Sequence, residues 1–487
     1  MDNDAHPPER PTRPLDPTGS RLRALLAQAV DYVANTVDRL PGSPASDLTD
    51  IHHMLADPRV RAAPPRDGRP LAELLDVLDQ AASKGMNLPS PGFMAFTPGG
   101  GLVTAAIADL IADVLNRPTG VAFPAPALVA METDVLRWTA DLFGMPDSTM
   151  GTLTTGASIA TLSAVITARH ARLTGDFRRG TAYVSDQAHP CIAKAVRLAG
   201  FPRDAVRTVP SDADQRMDVR ALELAVDADR AAGLHPFLVA GTAGTTNTGA
   251  VDPLSSIADV AVRERLWFHV DAAYGGFFQL TRRGRDRLHG ADRADSLVID
   301  PHKGLFLPFG TGCLLVRQGE LLRRAHSADS AAYRQDLRDT GLADFADYSI
   351  ELSRDFRGLR IWLPLHLHGV EAFRSALDEM LDLAALLHAE LSHDPRLAVT
   401  GRPQLSTVTF RCRVADPDAA DAATRELVRR VNDEGRVYLS STWVDGRYAG
   451  RVCILNHRID RDRVAEAAAS IRRHAGDIVK ASAAGRR

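Results

Sequence analysis

Residues 266–317 read LWFHVDAAYGGFFQLTRRGRDRLHGADRADSLVIDPHKGLFLPFGTGCLLVR, and their texture decides the fold class. Three short apolar runs, LWFHVDAA (266–273), SLVID (296–300) and GCLLVR (312–317), are separated by polar or glycine-punctuated segments. Apolar runs of this length, without polar alternation, read as strands buried on both faces. TAYVS (181–185) and PFLVAGTAG (236–244) repeat the pattern upstream, with helical periodicity between them. Alternating strand and helix predicts βαβ units and a mainly parallel sheet. In open α/β sheets ligands bind beyond the carboxyl ends of the strands, so the polar residues after each run are the ones to inspect.

Residues 21–39 carry apolar residues at helical spacing, and residues 47–85 continue as helices broken at Ala63-Pro64-Pro65. We read residues 1–90 as a tail plus a helical segment, 91–375 as a large α/β domain, and 376–487 as a small α+β domain. In the last part, LSTVTFRCRV (405–414), RVYLSST (436–442) and RVCILNHR (451–458) read as strands, and 422–435 and 460–475 as helices. The formal net charge is −3, with arginines interleaved among acids, so the charge pattern makes no case for nucleic acid or a membrane surface. Four scattered cysteines without a CxxC pair predict reduced thiols rather than a zinc site or disulfides. The polar, proline-rich N-terminus lacks the apolar core of a signal peptide, and no run approaches the roughly 20 apolar residues of a membrane span. These features predict a cytoplasmic enzyme.

The chemistry concentrates at strand ends. Only four of the 58 Lys plus Arg are lysine: Lys84, Lys194, Lys303 and Lys480. Lys303 directly follows SLVID, in DPHKG. A lysine can become a neutral, nucleophilic amine, whereas arginine stays protonated and cannot form a Schiff base. Asp271 ends the neighbouring strand, 32 residues earlier. Such a carboxylate either pairs with an arginine or faces a cationic ring nitrogen. In a right-handed βαβ connection the two strand ends are neighbours. An aldehyde cofactor with a cationic ring nitrogen and an anionic tail joins the two, and pyridoxal 5′-phosphate has all three features. LTTGASIATL (153–162) offers the anion cradle: small residues run straight into a helix, with backbone amides and the Ser158 hydroxyl available. His189 follows the TAYVS strand, and Thr245 and Thr246 follow PFLVAGTAG.

With HVDAAYGG, DPHKG, GASIATL, SDQAH and GTTNTGAVD in this order, the chain resembles the aromatic-L-amino-acid decarboxylase family, the group II pyridoxal-phosphate decarboxylases. The match runs from about 90 to 365, and more weakly through SRDFRGLRIWLPL and LSSTWVDGRYAGRVCILNHR. The resemblance implies PLP fold type I: a large domain with a mixed, mainly parallel seven-stranded sheet, a small C-terminal domain, and an intertwined homodimer. It implies that Lys303 carries the cofactor aldehyde and that Asp271 pairs with the ring nitrogen. It places His189 over the ring and Ala273 beneath it, with Ala157, Ser158, Thr246 and His302 contacting the cofactor or its phosphate. Tyr333, in a mobile loop at about 325–348, matches the tyrosine that reprotonates the α-carbon. The implied reaction is decarboxylation of an L-amino acid to its amine and CO2, with no metal.

The chain departs from the family's pattern in three places. Asp300 stands where asparagine is frequent, and an ionised carboxylate accepts but does not donate. In the substrate-pocket stretch FMAFTPGGG (93–101), Phe96 is followed by Thr97 rather than by a second aromatic. Val121 and Ala122 replace bulkier neighbours. Alternatives on the same scaffold are an oxygen-using, oxidatively deaminating aldehyde synthase and an aminotransferase or carbon–sulfur lyase. A protein that keeps the cofactor without turnover is the alternative from another class.

Overall fold

The computed structural model describes residues 15–327 and 340–484. A seven-stranded sheet forms the centre: β1 (Met150–Thr154), β2 (Gly180–Ser185), β3 (Val206–Val209), β4 (His235–Thr242), β5 (Trp267–Asp271), β6 (Ser296–Ile299) and β7 (Gly312–Val316). Its order is β1-β7-β6-β5-β4-β2-β3, and only β7 runs against the others. The inner strands are buried along nearly their whole length, which is why they read as uniform apolar runs. β1 and β3 escaped the sequence reading. MGTLT holds few large apolar residues, and VRTV sits at a sheet edge with partly exposed side chains. Ala272 and Ala273 continue the apolar run in sequence, yet the ladder ends at Asp271 and both enter the site loop, where they are buried.

The remaining elements wrap this sheet. The N-terminal segment holds α1 (Gly19–Arg39) and α2 (Leu71–Ala82), together with a two-residue ribbon, Ser46–Asp47 against Gly85–Met86, too short to announce itself in sequence. α3 (Val103–Leu115) and α4 (Pro126–Leu142) lead into β1, and α5 (Ala157–Arg172) follows it. Two consecutive helices, Leu359–His368 and Val370–Ser392, carry the chain to a four-stranded antiparallel sheet. There the sequence reading placed two separate strands, but Ser440–Val444 and Arg447–Cys453 form one hairpin. Its two-residue turn is Asp445-Gly446, both at positive φ, the pair a tight hairpin turn prefers. The strap at 92–94 joins this small sheet through Met94 N–H to Tyr438 O and Cys453 N–H to Met94 O before the chain enters the large domain.

One buried ion pair locks α4 to the site side of the sheet. Glu132 and Arg354 lie 2.6 Å apart with both side chains fully buried. Glu132 also accepts from Gly358 N–H, while Arg354 donates to Leu153 O and lies over the Phe345 ring. Removing one partner strands the other charge. We expect Glu132→Ala to lower stability by about 3–5 kcal/mol in urea unfolding. A loss below about 1 kcal/mol would mean that water reaches Arg354.

Candidate active site

The carboxyl ends of β1, β2, β4, β5 and β6 surround a cavity of about 290 Å³. Every cofactor-contact residue expected from the sequence lines it. Ala157 and Ser158 come from the start of α5, His189 from the loop after β2, and Thr246 from the turn after β4. Asp271 and Ala273 come from the end of β5, and His302 and Lys303 from the turn after β6. Thr245 does not line it: its hydroxyl is held inside the turn by Thr248 and by Ala250 N–H.

Lys303 sits on a single helical turn, Pro301–Gly304, started by a proline whose fixed φ suits the first helical position. The strap crosses this turn so closely that a Cβ at Gly99 would run into the His302 carbonyl oxygen. Gly312 is needed for a similar reason, since a Cβ there would strike Gly156 and the start of α5. Lys303 Nζ projects to within 3.0 Å of Asp300 Oδ2.

Asp271 is 4% exposed. Its Oδ1 accepts from Ala273 N–H at 3.1 Å, and among the described residues no cation lies within ion-pair distance. A buried carboxylate with so little compensation calls for a positive group in the cavity. His189 Nδ1 accepts from Cys191 N–H at 3.2 Å, which leaves the ring proton on Nε2. Burial holds this histidine below its ordinary pKa, so it presents a neutral, flat face. His302 is anchored through Nδ1 to Thr311 O at 2.6 Å, and burial lowers its pKa while Asp300 opposes the shift.

The cavity thus offers an amine, an undercompensated anion, a neutral ring and a helix start. An aldehyde, a cationic ring nitrogen and a phosphate match the first, second and fourth, so the residues present fit pyridoxal phosphate.

Three further wall residues make contacts that the sequence does not announce. Cys191 lines the cavity, and burial pushes its thiol up to about 12, so it stays neutral. Tyr274 turns from the cavity wall to the small domain, its hydroxyl bonded to Ser406 and Thr407. Asp300 accepts from Ala157 N–H at 2.8 Å, a bond between residues 143 positions apart.

The expected substrate-pocket residues lie elsewhere within one chain. Phe96 is 52% exposed and held at φ 54°, a left-handed conformation that costs a non-glycine residue about 1–2 kcal/mol. Its N–H donates to Ser440 Oγ, and its carbonyl accepts from Arg451 at 2.7 Å. Arg451 also donates to Asn247 O, and Asn247 reaches Gln187, two residues before His189. Thr97 follows Phe96 on this strap. Val121 lines a second cavity of about 1030 Å³ with Arg117 and Arg354. Tyr333 lies outside the described residues.

The family model described as the pyridoxal-dependent decarboxylase conserved domain matches residues 60–413. An aromatic-L-amino-acid decarboxylase of Bacillus atrophaeus is 32% identical over 470 residues, covering 95% of this chain and 97% of that protein. Tryptophan decarboxylase 1 of Oryza sativa subsp. japonica is 31% identical over 461 residues, covering 89% of each. Among solved structures, Oryza sativa TDC with PLP and tryptamine superposes with a TM-score of 0.90 at 30% identity, covering 96% of this chain and 100% of that one.

Proposed function

The chain belongs to the pyridoxal-dependent decarboxylases and is a PLP-dependent amino-acid carboxy-lyase, and from that premise we propose its substrate class and the roles of its residues. The observation that carries the roles is the convergence of Lys303 and Asp271 on one cavity opposite the start of α5.

When bound, pyridoxal phosphate supplies an electron sink for the pair left behind as the carbon–carboxylate bond breaks. Lys303 would supply the primary amine that holds the cofactor aldehyde. Asp271 keeps a proton on the ring nitrogen, since neutralising it is what the buried carboxylate lacks. His189 would offer the ring a neutral imidazole to stack on, and Ala273, being small, would leave room for it in the opposite wall. Ala157 and Ser158, at the start of α5, would hold the phosphate, with Thr246 and His302 beside them in the cavity wall. Tyr333 donates the proton that the α-carbon gains once CO2 has left.

The substrate we propose is an aromatic L-amino acid. The reading is supported by the names of the relatives and by the tryptamine in the solved neighbour. The test offers the holoenzyme a pool of L-amino acids in air and follows amine, aldehyde and peroxide together. We expect one aromatic amine without peroxide. Amine formed only from a non-aromatic acid would overturn the substrate class, and aldehyde with matching peroxide would overturn the role of Tyr333.

The working unit we propose is a cytoplasmic homodimer. α1 buries no residue within the chain and exposes Leu22, Leu26, Val30 and Val33, while α3 exposes Leu110 and Val114. Apolar faces of this extent on two helices suit a second copy of the chain, and sedimentation at micromolar concentration reads it directly. No helix among the described residues is long and apolar enough to cross a membrane, and all four cysteines are free and buried, as suits a reducing compartment.

A further inference from the structure

We propose that anchoring a phosphate at the start of α5 takes up one proton at the Asp300–His302 pair, so that this chain holds its phosphorylated cofactor under pH control. The proposal rests on the cofactor reading above and adds to it a linkage particular to this chain.

The amides that open α5 are the donors an anion finds in this cradle. One of them, Ala157 N–H, already ends on Asp300 Oδ1 at 2.8 Å. The second carboxylate oxygen lies 3.0 Å from Lys303 Nζ and 3.7 Å from His302 Nε2. The Asp300 side chain is 3% exposed, so it cannot swing into water when an anion arrives. A phosphate here therefore meets a fixed carboxylate that shares one of its donors. Like charges in a water-poor pocket favour the bound state that carries an extra proton.

The pair has a place for that proton. His302 Nδ1–H is spent on Thr311 O at 2.6 Å, so the lone pair of its free Nε2 faces Asp300 Oδ2. Two acceptors facing each other gain a donor when one proton enters between them. That proton belongs to the pair rather than to either residue. It also gives the site a second donor for a phosphate oxygen, which an ionised aspartate cannot supply alone. An asparagine at this position would donate without any proton uptake.

Lys303 shares the turn of Asp300, His189 and Asp271 face it across the cavity, and the Cys191 and Cys313 thiols are held neutral by burial. Arg360 donates to Gly310 O and to Thr311 on the far side of His302. A ratio between two ligands that differ only in the phosphate cancels what these groups do to both.

The test uses the full chain stripped of cofactor, with pyridoxamine and pyridoxamine 5′-phosphate as probes. Neither can condense with Lys303. Their Kd ratio, measured from about pH 6.5 to 8.5, isolates the phosphate, which is already a dianion above about pH 7. Proton affinity is raised in the bound state, so the phosphate contribution is full at low pH and is lost as pH rises. For the unmodified chain we expect the ratio to fall by up to about tenfold per pH unit above pH 7. For Asp300→Asn we expect a ratio constant within about twofold over that range, and larger than the native one at pH 8. A flat ratio in the unmodified chain overturns the proposal without any variant. A variant that keeps the native slope overturns it too. Absence of pyridoxamine phosphate binding at every pH would overturn the cofactor reading, and this proposal with it.

Discussion

Lys303→Ala will lose decarboxylation by at least about 10³-fold, the scale of removing a covalent catalyst. The variant will also lose the visible absorbance of the lysine-bound cofactor. The site offers no substitute amine: among the described residues only Lys303 of the four lysines lines the cavity, and Lys84 is paired with Asp47 at 2.7 Å. Borohydride reduction of the holoenzyme followed by peptide mass spectrometry should therefore place the cofactor on the peptide containing residue 303 and on no other. Label on Lys194, or turnover within about tenfold of native in Lys303→Ala, would sink the assignment.

Asp271→Asn should lower kcat on the order of 10³-fold with little change in KM. The amide oxygen can still accept from Ala273 N–H, so the turn survives, but the neutral side chain no longer holds a proton on the ring nitrogen. The separation of kcat from KM is the informative readout. A residue that merely shaped the pocket would raise KM instead. A kcat within about threefold of native would show that the ring nitrogen needs no anion here.

Much of the site was legible because its residues are out of place by ordinary rules. A carboxylate closing an apolar strand and a lysine in an arginine-rich chain both stand against the usual economy of buried charge and surface composition, and both proved to line the cavity. The strands that were legible are the buried central ones, where side-chain chemistry is uniform. β1 and β3 were not, because small residues or edge exposure left them without that uniformity. The hairpin at Asp445-Gly446 carried a turn signal strong enough to be read, but apolar runs on either side of it drew the strand boundaries away. What sequence could not convey is long-range pairing. The reach of Asp300 to Ala157 and of Arg451 to Phe96 spans 143 and 355 positions, and no local pattern marks either end.

The undercompensated Asp271 has a consequence for the life of the protein as well as for its chemistry. A chain made before its cofactor arrives folds around a buried negative charge held by one backbone amide. That state is the less stable one, and ligand binding raises stability in proportion to RT ln(1 + [L]/Kd). Cells short of the vitamin from which the cofactor is made will thus hold a larger unfolded fraction, open to proteases, and abundance will follow nutrition even at constant synthesis.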